Sequence, residues 1–181
     1  LSSYRPITLL NADYKIMAKL MTQRWGPPLA RTLDDTQTAF LPGRWIGDNI
    51  LAHLEEIDYL DATQQPGCVL FLDFQSAYDR VDHAWLQHCM AALGFGEVAR
   101  KWARLLVQGM QSLAMFNGHR TALFPVLCGV PQGSPRSPLL YNIAVQPLAS
   151  HLRRLQALRV IRPIFMPDGS AASPVHQHAD D

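Results

Sequence analysis

The chain has 181 residues, 48% of them hydrophobic and 17% charged, with a formal net charge of +1. That is enough apolar side chain for a core, and it excludes a disordered tail or a low-complexity linker. No apolar run reaches the roughly 18 residues of a membrane helix. The three cysteines (Cys68, Cys89, Cys128) lack CxxC spacing, which argues against a disulfide framework or a zinc site and suits a reducing compartment. Residue 1 is Leu and no charged-then-apolar leader follows it, so the chain is expected to begin inside a longer reading frame. Charge is unevenly spread. Residues 46–99 carry nine acids against one base, Arg80, whereas residues 100–162 carry nine bases and no acid. The basic stretch reads either as a surface for a polyanion or as a solvated face offset by the acidic middle.

Residues 1–10 read as extended, since Pro6 forbids a helix interior there. Residues 11–24 predict a helix, with Asn11 as N-cap and Ile16, Met17 and Leu20 at helical spacing, stopped by Trp25-Gly-Pro-Pro. A Pro42-Gly43 turn follows, and Asp48 is expected to cap a helix striped by Ile50, Leu54, Ile57 and Leu60. Residues 68–74 (CVLFLDF) form a continuous apolar run after Pro66-Gly67, the pattern of a buried central strand. Helices are expected at about 82–93 and 96–109, split by Gly94. Asn117-Gly118 predicts a hairpin joining 112–117 to 120–128. The Gly/Pro loop 129–138 should feed a further helix, and Pro167-Asp168-Gly169 should turn a second hairpin running into the terminal VHQHADD. The expected fold class is α/β (α+β) with a mostly antiparallel sheet, and a Rossmann arrangement is disfavoured.

Three carboxylates carry the chemistry. Asp73 closes the apolar run, and an unpaired carboxylate there would be capped, salt-bridged or bound to a cation. Asp180 and Asp181 are adjacent, so in a strand only one of them can share a face with Asp73. Two converging carboxylates would repel unless a divalent cation lay between them, and Mg²⁺ suits an oxygen-only donor set. Taken singly, each Asp reads as a cap or a solvated residue.

Five ordered blocks change that weighting: SSYRPITLLNADYKIMAKLMTQR (2–24), QTAFLPGRWIGDNI (37–50), FLDFQSAYDRVDHAWL (71–86), GVPQGSPRSPLLYNI (129–143) and HADD (178–181). Together they resemble the reverse transcriptases of non-LTR (LINE-type) retrotransposons, over nearly the whole chain. The resemblance implies the fingers and most of the palm of a right-hand polymerase, truncated before the thumb. It assigns 1–66 to a fingers-like segment and 67–181 to a palm-like one, with 94–128 shared between the two readings. A thumb after residue 181 and an endonuclease domain before residue 1 are expected as further partners of the domain.

The same resemblance implies residue roles. Asp73 is the first metal-binding aspartate, Asp180 the second, Asp181 their neighbour, and the Phe74 carbonyl completes a site for two Mg²⁺ ions, with Mn²⁺ as substitute. Gln75, Ser76, Ala77 and Tyr78 wrap the incoming triphosphate, and Tyr78 is the steric gate against a ribose 2′-hydroxyl. An ordinary core aromatic is the alternative for Tyr78. Arg5 grips nucleotide phosphates, as a bidentate guanidinium can, with Lys15 as an additional cation. Gln132 and Gly133 support the nucleotide. Arg44, Pro131 and Arg136 touch template or primer, with a solvated loop arginine as the alternative for Arg44. Two positions depart from the family pattern. His178 stands where Tyr is usual. Arg136 stands where Leu is usual, and either disturbs the loop–helix junction or faces a basic groove. The implied partners are an RNA template, a DNA primer and dNTPs, with no membrane. The implied location is intracellular, in the nucleus, with the cytoplasm as alternative. Two rival readings remain: a group II intron or retron-type enzyme, against which YRPITLLNADYKI argues, and a catalytically inactive nucleic-acid-binding relic.

Overall fold

A computed structural model describes residues 7–179. The expected Arg5, Asp180 and Asp181 lie outside the described residues. The order of elements is α1 (Ala12–Thr32), α2 (Ile46–Ala62), a 3-10 turn (Ala77–Arg80), α3 (His83–Ala92), α4 (Glu97–Leu105), β1 (Gln111–Ser112), β2 (Met115–Phe116), β3 (His119–Arg120), β4 (Phe124–Pro125) and α5 (Ser137–Ala157). The class is mixed α and β, as expected. The described strands, however, form two two-stranded antiparallel ladders, β1 with β4 and β2 with β3, rather than one large sheet.

The chain divides into two compact units, each discontinuous in sequence. The first gathers residues up to Met21 with Ser76–Ala144, and the second gathers Thr22–Gln75 with Val145 onward. In the first unit, Leu86 and Met90 of α3, Ala103 of α4 and Leu139, Leu140 and Ile143 of α5 are fully enclosed. Asp82 caps α3 by accepting the Trp85 N–H at 2.7 Å, and Gly94, at φ +79°, terminates α3. The Asn117-Gly118 turn has φ of +49° and +79°, the double positive φ that a two-residue hairpin needs. In the second unit, Leu29 of α1, Leu33 just after it, Ala39, Leu41, Val145 and Ala149 form the core.

Four local expectations are overturned. Helix α1 does not stop at Trp25 but runs on through Pro27 and Pro28 to Thr32. A proline inside a helix costs about 3 kcal/mol. Here burial of Leu29 and Leu33 and the anchoring of the helix end by Arg44 offset that cost. The buried face of α1 in the first unit is Ala18 and Met21, while Ile16 and Leu20 are exposed. Helix α2 starts at Ile46 with Trp45 as N-cap, which leaves Asp48 in the first turn, where its charge faces the helix dipole. Its apolar stripe Ile50, Leu54 and Ile57 is exposed.

The largest departure is 68–74. It carries no strand, and Leu70, Phe71 and Leu72 are exposed. An apolar run becomes a buried strand only when a neighbouring strand accepts its N–H and C=O groups, and no described strand pairs with it. The second hairpin is also shorter than expected. Met166 and Ala172 bond back to Ser170 and Ile164 across the 167–169 turn, but 175–178 leaves that hairpin and runs beside 36–38 instead.

Candidate active site

In the first unit three of the motif blocks meet. Ser76 adopts a left-handed φ of +54°, which folds Ala77–Arg80 into a 3-10 turn. Loop 128–133 is bonded along this turn. The Val130 N–H donates to Tyr78 O and the Gly129 N–H to Val81 O, both at 2.8 Å. The Gln132 side-chain amide donates to both carboxylate oxygens of Asp79, at 3.1 and 3.2 Å. His83 Nε2 lies 2.7 Å from Gly129 O, and the Cys128 thiol donates to Asp79 O. Glycine is required at 129: φ is +89°, and a Cβ would stand 2.8 Å from Asp79 O. Block one joins at Thr8, whose N–H donates to Gln132 O at 2.9 Å, and a Cβ on Gly133 would stand 3.2 Å from Thr8 O.

Ser76, Ala77, Tyr78, Pro131, Gln132 and Gly133 thus belong to one woven turn-and-loop. The Tyr78 ring stacks on Tyr141 with centroids 5.0 Å apart and planes 15° off parallel. That contact holds one face of Tyr78 fixed. Sequence reasoning missed Tyr141, although its place in the first turn of α5, after the 129–136 loop, was a usable signal.

Two of the expected nucleic-acid contacts have protein partners in the structure. The Arg136 side chain is fully enclosed, with Nη2 on the Tyr14 hydroxyl at 3.3 Å and Nη1 3.9 Å from the Met21 sulfur. Burial pushes its pKa down, against the pull of Tyr14. Arg44, in the second unit, donates to four backbone carbonyls: Ala30 at 2.7 Å, Leu33 at 3.0 Å, Gln37 at 2.7 Å, and Asp34. Ala30 is in the last turn of α1 and the other three carbonyls lie in the segment that leaves it, so Arg44 clamps the helix end to the chain that follows. Burial lowers its pKa, offset in part by Asp35 and Asp34.

In the second unit block two grips the segment that leads to Asp180. Gln177 bonds as a single parallel bridge to Gln37, with Thr38 N–H donating to Gln177 O and Gln177 N–H to Thr36 O. Asn49 donates to Gln177 O at 2.8 Å and Thr36 O at 2.6 Å. Gln37 Oε1 accepts the N–H of Ala179 at 3.0 Å and of Ala39 at 3.2 Å. His178 Nδ1 lies 3.1 Å from Thr38 Oγ1, with the Phe40 ring 6.2 Å away. The ring that replaces the usual Tyr is therefore held by a hydroxyl. Asp34 anchors the same region. Its burial opposes ionisation, but hydrogen bonds from Arg153 and Thr36 outweigh this and hold the carboxyl well below the usual range.

Asp73 and Phe74 lie in the exposed stretch after residue 67. Among the described residues the Asp73 carboxylate accepts no hydrogen bond and joins no ion pair. Carboxylate and carbonyl oxygens are the hard donors that Mg²⁺ prefers, so these two residues fit that ion.

The sequence has counterparts among known proteins. The whole chain, residues 1–181, matches the family described as Reverse transcriptase (RNA-dependent DNA polymerase), and the chain belongs to that family. Its relatives are those of the non-LTR branch. It is 32% identical over 154 residues, 85% of its own length, to the Transposon TX1 uncharacterized 149 kDa protein of Xenopus laevis. It is 29% identical over 146 residues, 77% of its length, to the probable RNA-directed DNA polymerase from transposon X-element of Drosophila melanogaster. Over 157 residues, 82% of its length, it is 27% identical to the RNA-directed DNA polymerase from mobile element jockey of the same fly. The chain spans only 12% to 16% of the length of these curated relatives.

Proposed function

We propose that the chain is the fingers and much of the palm of an RNA-directed DNA polymerase of a non-LTR retrotransposon. In this reading it takes an RNA template, a DNA primer and dNTPs, and joins the primer 3′-hydroxyl to the α-phosphate of the dNTP with release of pyrophosphate. The observation that supports it most is the weave of the 76–82 turn onto loop 128–133. A rigid backbone turn in front of an aromatic ring clamped by Tyr141 suits a surface that holds a triphosphate and screens its sugar.

Each residue then has a task. Tyr78 fills the space a 2′-hydroxyl would occupy. Gln132, fixed by Asp79 and by Thr8, supports the sugar and the nascent pair with Gly133 beside it. Arg5 neutralises charge on the departing pyrophosphate. Asp73, the Phe74 carbonyl and Asp180 would hold Mg²⁺, with Asp181 alongside. Bound there, the ions polarise the α-phosphate and neutralise charge on the attacking and leaving oxygens. Lys15 adds a further cation for the nucleotide phosphates, and the bases of 100–162 other than the enclosed Arg136 and the Asp34-bound Arg153 bear on the nucleic-acid backbone. The division at 66/67 into fingers and palm and a nuclear site of action, with the cytoplasm as alternative, go with this reading.

The test is primer extension on an RNA template with Mg²⁺, using the full-length protein and its Asp73→Asn form. Extension should fall by at least about 10³-fold, in line with losses when a principal source of transition-state charge stabilisation is removed, while template–primer is still retained. Equal extension by both proteins removes Asp73 from the reaction.

A further inference from the structure

The second unit holds a cluster that the polymerase reading does not use. His53 and Glu56, one helical turn apart on α2, face His176, which arrives 120 positions later in the segment gripped by block two. One ligand atom from each lies within 4.8 Å of the other two. His176 Nε2 is 3.1 Å from one Glu56 oxygen, and His53 Nδ1 is 3.7 Å from the other. All three side chains are largely withdrawn from solvent, at 24% exposure for His53, 13% for Glu56 and 19% for His176.

A purely hydrogen-bonded triad accounts poorly for this arrangement. At 3.7 Å the His53–Glu56 approach is too long for a hydrogen bond. His53 Nε2 and His176 Nδ1 are both buried without a partner among the described residues. With its far nitrogen engaged by no described group, neither ring has its tautomer fixed from behind, so the nitrogen that faces Glu56 on each ring, Nδ1 of His53 and Nε2 of His176, can carry the lone pair an ion needs. The donor set, two imidazoles and one carboxylate, is the three-ligand set of zinc sites that keep a fourth position open. Tetrahedral bonds of about 2.1 Å set neighbouring ligand atoms about 3.3 Å apart. The Glu56–His176 pair already stands near that value, and a turn of the His53 ring brings in the third ligand.

We propose that His53, Glu56 and His176 bind one transition-metal ion of the zinc class, with the fourth position open to water or an oxygen ligand. The site contains no cysteine, so cysteine spacing could not have revealed it. Bound there, the ion ties α2 to the segment four residues before Asp180 and fixes its approach. The proposal does not rest on the polymerase reading, and zinc binding can be tested in a protein with no polymerase activity.

The experiment titrates Zn²⁺ into the chelator-treated chain against a chromophoric competitor, in excess Mg²⁺. X-ray absorption at the zinc edge then reads the ligands in the unmodified protein. One ion per chain in a nitrogen and oxygen shell with imidazole scattering is the expected result. His53→Ala, Glu56→Ala and His176→Ala should each weaken binding by more than the ~10–100-fold typical of losing an outer-shell partner. A Cys68→Ser, Cys128→Ser double variant should bind Zn²⁺ as the parent does. A sulfur-dominated shell, displacement by Mg²⁺, or no 1:1 binding overturns the site. So does unchanged affinity in the three variants, each checked for helix content by circular dichroism. Because the absorption spectrum needs no substitution, a variant that fails to fold leaves the assignment testable.

Discussion

Arg44 and Arg136 stand in similar sequence settings, each in a Gly/Pro loop just ahead of a helix, yet they meet opposite surroundings. Arg44 is half-buried and gives its fork of donors to four main-chain carbonyls. Arg136 is fully enclosed and, among the described residues, faces a tyrosine hydroxyl and a thioether sulfur and leaves its Nε without a partner. A guanidinium is a donor-only group that burial penalises, so its worth depends on the acceptors it meets. One arginine closes a helix end. The other occupies, at a cost, a core site where the family pattern has leucine.

The largest effect that sharpens this contrast is expected at Arg44. Arg44→Ala should destabilise the chain by about 3 kcal/mol, since charged hydrogen bonds to otherwise open carbonyls are removed together. Arg44→Lys should recover only part of that, because an ammonium lacks the planar fork. An unchanged urea midpoint for Arg44→Ala would break the clamp reading.

Next comes the carboxylate in the same region. Asp34→Asn should cost about 2 kcal/mol at pH 7, moderated because Arg153 is partly hydrated. The folded-state pKa of Asp34 lies below the ordinary value of about 3.9, so its contribution is complete above that pH and is lost as pH falls toward the folded value. Urea midpoints of parent and variant should therefore converge below about pH 4. A gap that stays constant into acid would sink the assignment.

The smallest change carries the opposite sign. Arg136→Leu should raise stability by about 1 kcal/mol, because it removes a buried charge that no carboxylate among the described residues pairs, and Tyr14 keeps an acceptor in Leu106 O. A lower melting temperature would mean that the Tyr14 and Met21 contacts outweigh desolvation. RNA affinity should be the same in parent and variant if the buried side chain makes no template contact.

Local signals in the sequence were read correctly where their physics is local. Gly94 between α3 and α4, Asn117-Gly118 in the hairpin and the Gly/Pro loop before α5 all act within a few residues of themselves. The ordered motif blocks likewise identified the family without any knowledge of contacts. The failures share one cause. Trp25-Gly-Pro-Pro reads as a stop, yet burial of Leu29 and Leu33 and the Arg44 clamp carry α1 through it. Residues 68–74 read as a buried strand, yet pairing is a property of two segments, and the apolar pattern reports only one.

By itself, then, the chain's residue order determined its family, its turn chemistry and most of its helices, because caps, positive-φ residues and motif spacing are written within short windows. Tertiary structure alone decided that Asn49 and Gln37 would hold Gln177 and Ala179, that Tyr141 would brace Tyr78, and that His176 would meet His53 and Glu56. Those pairs lie 63 to 142 positions apart or nearly so. Which donor finds which acceptor at that separation is set by how the helices pack, not by the local pattern.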